Sequence, residues 1–233
     1  YGGEDWVLRD FSLKIGSGKR VGVVGHTGAG KTTLISLLLR FYEPQRGRIL
    51  IDGKDIRTFP KRALRDRIGI IQQDVFLFSG RIEDNITLWR EPRLRSEART
   101  ALLDMDFRQS LELQLDERGS NLSMGERQVL SFARAIEKRP DVWILDEATA
   151  NVDSDTEVRF SRALDEETRG KTLLIIAHRL ATIRKSDQIV VLHKGNLVEQ
   201  GDHDSLLRKG GYYAHLYRYQ EAVERSEQVS ERS

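Results

Sequence analysis

The chain has 233 residues, enough to bury a full α/β core. Its 38 Lys and Arg against 36 Asp and Glu leave a net charge of +2, with no single-sign block of the kind a nucleic-acid groove requires. Cysteine is absent, which excludes a disulfide framework and a thiolate metal site, and no apolar run reaches the ~18 residues that cross a bilayer. Phe11, Leu13 and Ile15 alternate onto one face and predict a strand, after which Gly16-Ser17-Gly18 turns the chain into a β-branched strand over residues 20–24. Residues 33–39 carry a helical pattern. Residues 48–51 read as a strand ending in the turn pair Asp52-Gly53, and residues 68–71 as another. From about Phe76 to Lys138 the pattern is helical, with Ala98, Ala101, Leu102 and Met105, then Leu111, Leu113 and Leu115. Strands return at 142–145, 173–176 and 189–192, the last turning through Lys194-Gly195-Asn196 into a partner at 197–199. Strands separated by helices predict an α/β fold with a mostly parallel sheet, the helical middle being an insertion into it. From about Glu221 the chain is rich in Glu, Ser and Arg, which predicts a disordered tail. The opening at Tyr1, without Met and directly in a strand pattern, reads as a piece of a longer polypeptide.

Between the strand at 20–24 and the helix lies Gly25-His26-Thr27-Gly28-Ala29-Gly30-Lys31-Thr32, which fits the P-loop pattern G-x-x-x-x-G-K-[ST]. Strand, Gly-rich turn and helix N-terminus form an anion trap, because the glycines let backbone N–H groups close on phosphate oxygens while the helix dipole adds positive potential. Lys31 supplies a point charge for the β- and γ-phosphates, and the Thr32 hydroxyl is placed to ligate Mg²⁺. The flanking strand and helix separate this from a chance match in a Gly-rich turn. A nucleoside triphosphate is therefore expected along Gly25, His26, Thr27, Gly28, Ala29, Gly30, Lys31, Thr32 and Thr33. Four apolar residues at 142–145 then run into Asp146-Glu147. Carboxylates at the end of such a strand face the nucleotide, so Asp146 suits Mg²⁺ and Glu147 suits the general base that polarises water. A plain capping pair ahead of Ala148-Thr149 is the weaker reading, given the apolar run before it.

Residues 122–128, Leu-Ser-Met-Gly-Glu-Arg-Gln, resemble the signature motif LSGGQ-x-Q of ATP-binding-cassette (ABC) ATPases. Other elements of that family stand around it in family order. Gln73 matches the Q-loop glutamine, with Gln72 one place too early. Ala150-Asn151-Val152-Asp153 resembles the D-loop, His178 the switch histidine, and Tyr1 the aromatic that stacks on adenine. The resemblance runs from Tyr1 to about Gln220. It implies a P-loop NTPase core with a mostly parallel sheet, an N-terminal antiparallel β subdomain and an inserted helical subdomain. The expected cassette is 1–220, with core 1–73 and 139–220, helical subdomain about 76–138, and the tail at 221–233. It further implies ATP and Mg²⁺ as cofactors, with Thr32, Gln73 and Asp146 at the metal and Glu147, His178, Gln73 and Lys31 serving hydrolysis. Ser123 can cap the helix that begins near Gly125, so its hydroxyl, the Gly125 N–H and the dipole make a second phosphate-binding end. One ATP and two anion ends imply two chains meeting head to tail, either identical or unlike.

Two residues depart from the pattern: Met124 replaces the usual Gly and Glu126 the usual Gln. A side chain at 124 is expected to crowd the partner's γ-phosphate, and a carboxylate at 126 to repel it. Glu147 is intact, so the chain resembles the half of an unlike pair that has a good Glu and a poor signature. Asp116-Glu117-Arg118-Gly119-Ser120-Asn121 resembles the Glu-x-Gly loop of exporters, and residues 76–86 also resemble exporter sequences. The expectation is the ATP-hydrolysing motor of a membrane exporter, at the cytoplasmic face of the inner membrane, with transmembrane domains N-terminal to it and no nucleic-acid partner. A soluble ABC ATPase acting on DNA or ribosomes is disfavoured, because the chain has no heptad run, internal repeat or basic face. A non-hydrolysing regulatory cassette would need Lys31, Glu147 or His178 replaced, and all three are present.

Overall fold

β-Branched residues open the first compact part of the molecule. In β1 (Arg20–Val24), Val21, Val23 and Val24 are all out of water, the pattern of a parallel strand covered on both faces. The structure is a computed structural model describing residues 6–90, 93–146, 154–176 and 180–230. It divides into two compact units: one formed by residues up to Thr58 together with those from Thr172 onward, the other by Phe59–Lys171. After β1, the first unit holds α1 (Lys31–Leu38) and the short antiparallel pair β2 (Leu50–Ile51) and β3 (Lys54–Asp55). Asp52 and Gly53 join that pair with φ of 51° and 76°, the double left-handed turn whose twist matches a hairpin.

The second unit contains α2 (Lys61–Asp66), β4 (Ile68–Gln72), β5 (Gly80–Arg81), α3 (Ile82–Thr87), α4 (Ser96–Asp104), β6 (Gln114–Leu115), α5 (Met124–Glu137), β7 (Val142–Asp146) and α6 (Ser154–Glu167). β4 and β7 pair in parallel with Gln72 opposite Asp146, so both strands end together. α5 packs on β4, α3 and α4. Its Phe132 ring lies 5.8 Å from Trp143 and 5.3 Å from Phe160, the aromatic centre of this unit. β4 and β7 thus fall in the same compact unit as the helical stretch.

The chain returns to the first unit through β8 (Thr172–Ile176), α7 (Leu180–Ile183), β9 (Gln188–His193), β10 (Asn196–Gly201), α8 (His203–Lys209) and α9 (Tyr212–Ser230). β1 runs parallel to both β8 and β9, and β10 runs antiparallel to β9. A Cβ on Gly22 would stand 2.7 Å from Ile183, so the bare backbone there is what lets α7 seat on β1.

Three expectations change. Phe11, Leu13 and Ile15 are half-buried between exposed neighbours, as the alternation demands, yet the segment belongs to no strand. Alternation gives an extended chain its faces; a strand also needs a ladder partner. Leu111, Leu113 and Leu115 are not helical. Leu115 pairs with Gly80, and the Leu113 and Leu111 carbonyls accept from Ile82 N and Glu83 N at 3.1 Å each. Their spacing of two was the period of an extended chain. At the other end, α9 continues to Ser230, past the point near Glu221 where composition predicts the tail.

Candidate functional site

The Gly-rich loop follows β1 directly. A Cβ on Gly25 would run into the Leu192 carbonyl, so only glycine lets the loop leave against β9. Gly28 and Gly30 hold φ of 80° and 106°, a region other residues enter only with strain. Two backbone bonds set the loop's shape: Ala29 N donates to His26 O at 3.0 Å, and Gly195 N, from the β9–β10 turn, donates to Ala29 O at 3.2 Å. Lys31 opens α1 and is buried. Its Nζ donates to Gly25 O at 2.6 Å and His26 O at 3.3 Å, which places the ammonium inside the bend of the loop. Thr27, Gly28 and Thr32 are exposed, His26 is exposed as well, and Thr33 is half-buried. A caged cation, a glycine-shaped turn and a helix start are what a polyphosphate requires, so the loop fits ATP.

In the second unit, the parallel pair β4–β7 brings two sequence-predicted residues to one edge. Asp146 is the last residue of β7, and Gln73 stands just beyond its register partner Gln72. Both offer the hard oxygen donors that Mg²⁺ takes, as does the Thr32 hydroxyl in the first unit. No cluster of three or more His, Asp and Glu side chains exists among the described residues. Tyr1, Glu147, the 150–153 segment and His178 lie outside the described residues.

The signature region forms the predicted cap. Ser123 is the N-cap of α5, its Oγ accepting from Glu126 N at 3.1 Å. The Glu126 carboxylate completes a capping box, with Oε2 accepting from Ser123 N at 2.8 Å and Oε1 from Gln109 Nε2 at 2.7 Å. Burial pushes the Glu126 carboxyl up, but the bonds from Gln109 and Ser123 outweigh it and hold the group below its ordinary range. Glu126 is therefore bonded to the start of its own helix and to Gln109. Met124, the other departure, is 43% exposed, and Gly125 is half-buried behind it.

Two polar groups, one buried and one half-buried, drew no role from the sequence. Gln128 is 3% exposed and its Nε2 donates to Gln72 O at 3.2 Å, tying the signature helix to the strand that leads into Gln73. The terminal Gln of the signature pattern was the available signal. Arg134 donates to Asn85 O and Phe76 O at 2.9 Å each and to Asn85 Oδ1 at 3.4 Å. Asn85, fully buried, in turn accepts from Phe78 N and donates to the Phe78 and Arg81 carbonyls. This network shapes the loop that carries exposed Phe76 and Phe78, whose rings meet edge to face at 5.0 Å, with Phe78 meeting the exposed Trp89 beyond α3 at 5.6 Å.

Comparison with known proteins adds four findings. The ABC transporter family model matches residues 8–150. A probable multidrug resistance ABC transporter ATP-binding/permease protein of Bacillus subtilis is 43% identical over 227 residues, covering 94% of this chain and 34% of that protein. An ATP-dependent lipid A-core flippase of Alkalilimnicola ehrlichii is 45% identical over 226 residues, 93% of this chain and 38% of the flippase. Among solved structures, a bacterial Atm1-family ABC exporter with ATP bound superposes with a TM-score of 0.85 at 40% identity, over 92% of this chain and 39% of that one. The chain thus spans between a third and two fifths of the length of these relatives.

Proposed function

The chain belongs to the ABC transporter family, and from that premise we propose that it is the Mg²⁺-dependent ATPase cassette that powers export of a substrate across a membrane. The observation that carries this is the Lys31 ammonium caged by Gly25 O and His26 O inside a loop that only glycines can shape. Residues 25–33 hold the triphosphate, and Lys31 exchanges its carbonyl partners for phosphate oxygens. Mg²⁺, when bound, supplies charge neutralisation; Thr32, Gln73 and Asp146 are its protein donors. Glu147 holds the attacking water as general base, His178 steadies it from the γ-phosphate side, and Tyr1 stacks on adenine. Ser123 and Gly125 close on the nucleotide of a second cassette, like or unlike. The helical subdomain is the stretch from about 76 to 138 within a cassette of 1–220. Transmembrane domains belong to the same assembly, which sits at the cytoplasmic face of the membrane. The exposed aromatic cluster of Phe76, Phe78 and Trp89 supports this, being an apolar surface braced by the half-buried Arg134.

The test is nucleotide binding by Lys31→Ala. Loss of a charge-assisted contact worth ~1.5–3 kcal/mol predicts an affinity for a fluorescent ATP analogue lower by roughly ten- to a hundredfold. Equal affinity would remove the loop from nucleotide binding. Glu147→Gln should retain ATP and nearly abolish turnover, since the amide cannot accept a proton. A hydrolysis rate within about twofold of wild type would take Glu147 out of the role of base.

A further inference from the structure

His26 carries more of the loop than its exposure suggests. Its carbonyl accepts from both Ala29 N and Lys31 Nζ, so the conformation that places the ammonium runs through this residue. Its ring stands edge-on to Tyr212, with centroids 5.9 Å apart and planes at 84°. Tyr212 opens α9 and is itself fixed from three directions. Its hydroxyl lies 2.7 Å from His193 Nδ1 and its ring 4.8 Å from the His193 ring. Its N–H donates to Glu199 Oε1 at 2.8 Å, and the neighbouring Tyr213 N–H donates to Glu199 Oε2 at 2.9 Å. The Glu199 carboxylate presses so closely on Gly211 that any side chain there would collide with it. β9, through His193, and β10, through Glu199, thus pin the first turn of the last helix with Tyr212 against the nucleotide loop.

We infer that Tyr212 is a positioning residue for nucleotide binding: by bracing the His26 ring it holds the Gly-rich loop in its binding shape before nucleotide arrives. The inference rests on the reading that this loop binds nucleotide. A loop held in shape loses less freedom on binding, so removing the brace raises the dissociation constant while leaving the phosphate contacts in place. Packing of α9 for its own sake makes a different demand, because it would lower thermal stability without changing the affinity of folded molecules.

Titration of the purified chain with a fluorescent ATP analogue and Mg²⁺, alongside melting without nucleotide, separates these. An edge-to-face ring contact predicts a dissociation constant raised roughly 3- to 10-fold by Tyr212→Leu, with Tyr212→Phe, which keeps the ring, closer to wild type than Leu. In a His26→Ala background the Leu substitution should add nothing further. Should Tyr212→Leu not fold, His26→Leu, on the exposed side of the same contact, takes its place with the same expectation. Affinity within about 1.5-fold of wild type for the folded variant, or effects of His26 and Tyr212 that multiply, overturns the brace. Lys31→Ala run in parallel tells the two readings apart. If it alone is weakened, only the brace falls; if it too binds like wild type, the nucleotide reading falls and takes the brace with it.

Discussion

Glu126 occupies a position where the family pattern has glutamine, and its carboxylate accepts from Ser123 N and Gln109 Nε2. Either Glu or Gln completes a capping box, so Glu126→Gln should leave stability within ~0.5 kcal/mol, while Glu126→Ala should cost about 1 kcal/mol in urea denaturation. The folded carboxyl titrates below its unfolded value, so its contribution is present above the unfolded pKa of ~4.3 and is lost as pH falls through the folded one. The gap between wild type and Glu126→Ala should accordingly narrow on acidification below the unfolded pKa, and a gap unchanged by acid would mean that the charge takes no part. Met124 is then the departure left at the proposed partner face. Met124→Gly alone should raise ATP-driven self-association as far as Met124→Gly with Glu126→Gln does, by size-exclusion chromatography. Motif residues such as Lys31 and Ser123 were legible because their chemistry is local to a few neighbours in the chain. The roles of Gln109 and Tyr212 were not, since their partners lie 17 positions away in one case and 19 in the other, across β10 and α8.

At the scale of elements, periodicity located most strands and helices but could not tell what a segment pairs with. The leucines at 111, 113 and 115 have the period of a strand, and only the ladder to residues 80–83 shows it. The half-buried alternation at 11–15 has the same period and no ladder. Arg134 illustrates the remainder: it reaches the Asn85 carbonyl in α3 and the Phe76 carbonyl in the loop ahead of β5, 49 and 58 positions earlier in the chain. Burial draws its guanidinium down to about 10, which still leaves it charged at neutral pH. Arg134→Leu would strand Asn85 O and Phe76 O in an apolar setting. The expected cost is ~2–4 kcal/mol by chemical denaturation, with faster proteolysis in the 76–81 loop than elsewhere. Proteolysis no faster there than in wild type would show that the loop holds its own shape.

For the whole molecule, one chain carries one Gly-rich loop in its first unit and one signature cap in its second. With two cassettes needed for each proposed site, the ATPase rate per chain should rise with protein concentration and level off as dimers fill. A rate flat across dilution would locate the whole reaction within a single chain. Gly195 offers a reporter that needs no substrate turnover. Its amide sits in the β9–β10 turn and donates to Ala29 O, while its own carbonyl accepts from Arg9 N. Turn amides ordinarily trade their hydrogens with solvent quickly, whereas this one can do so only when the Gly-rich loop lifts away from it. Deuterium uptake at Gly195 therefore clocks the opening of the loop, and nucleotide that stiffens the loop should slow it.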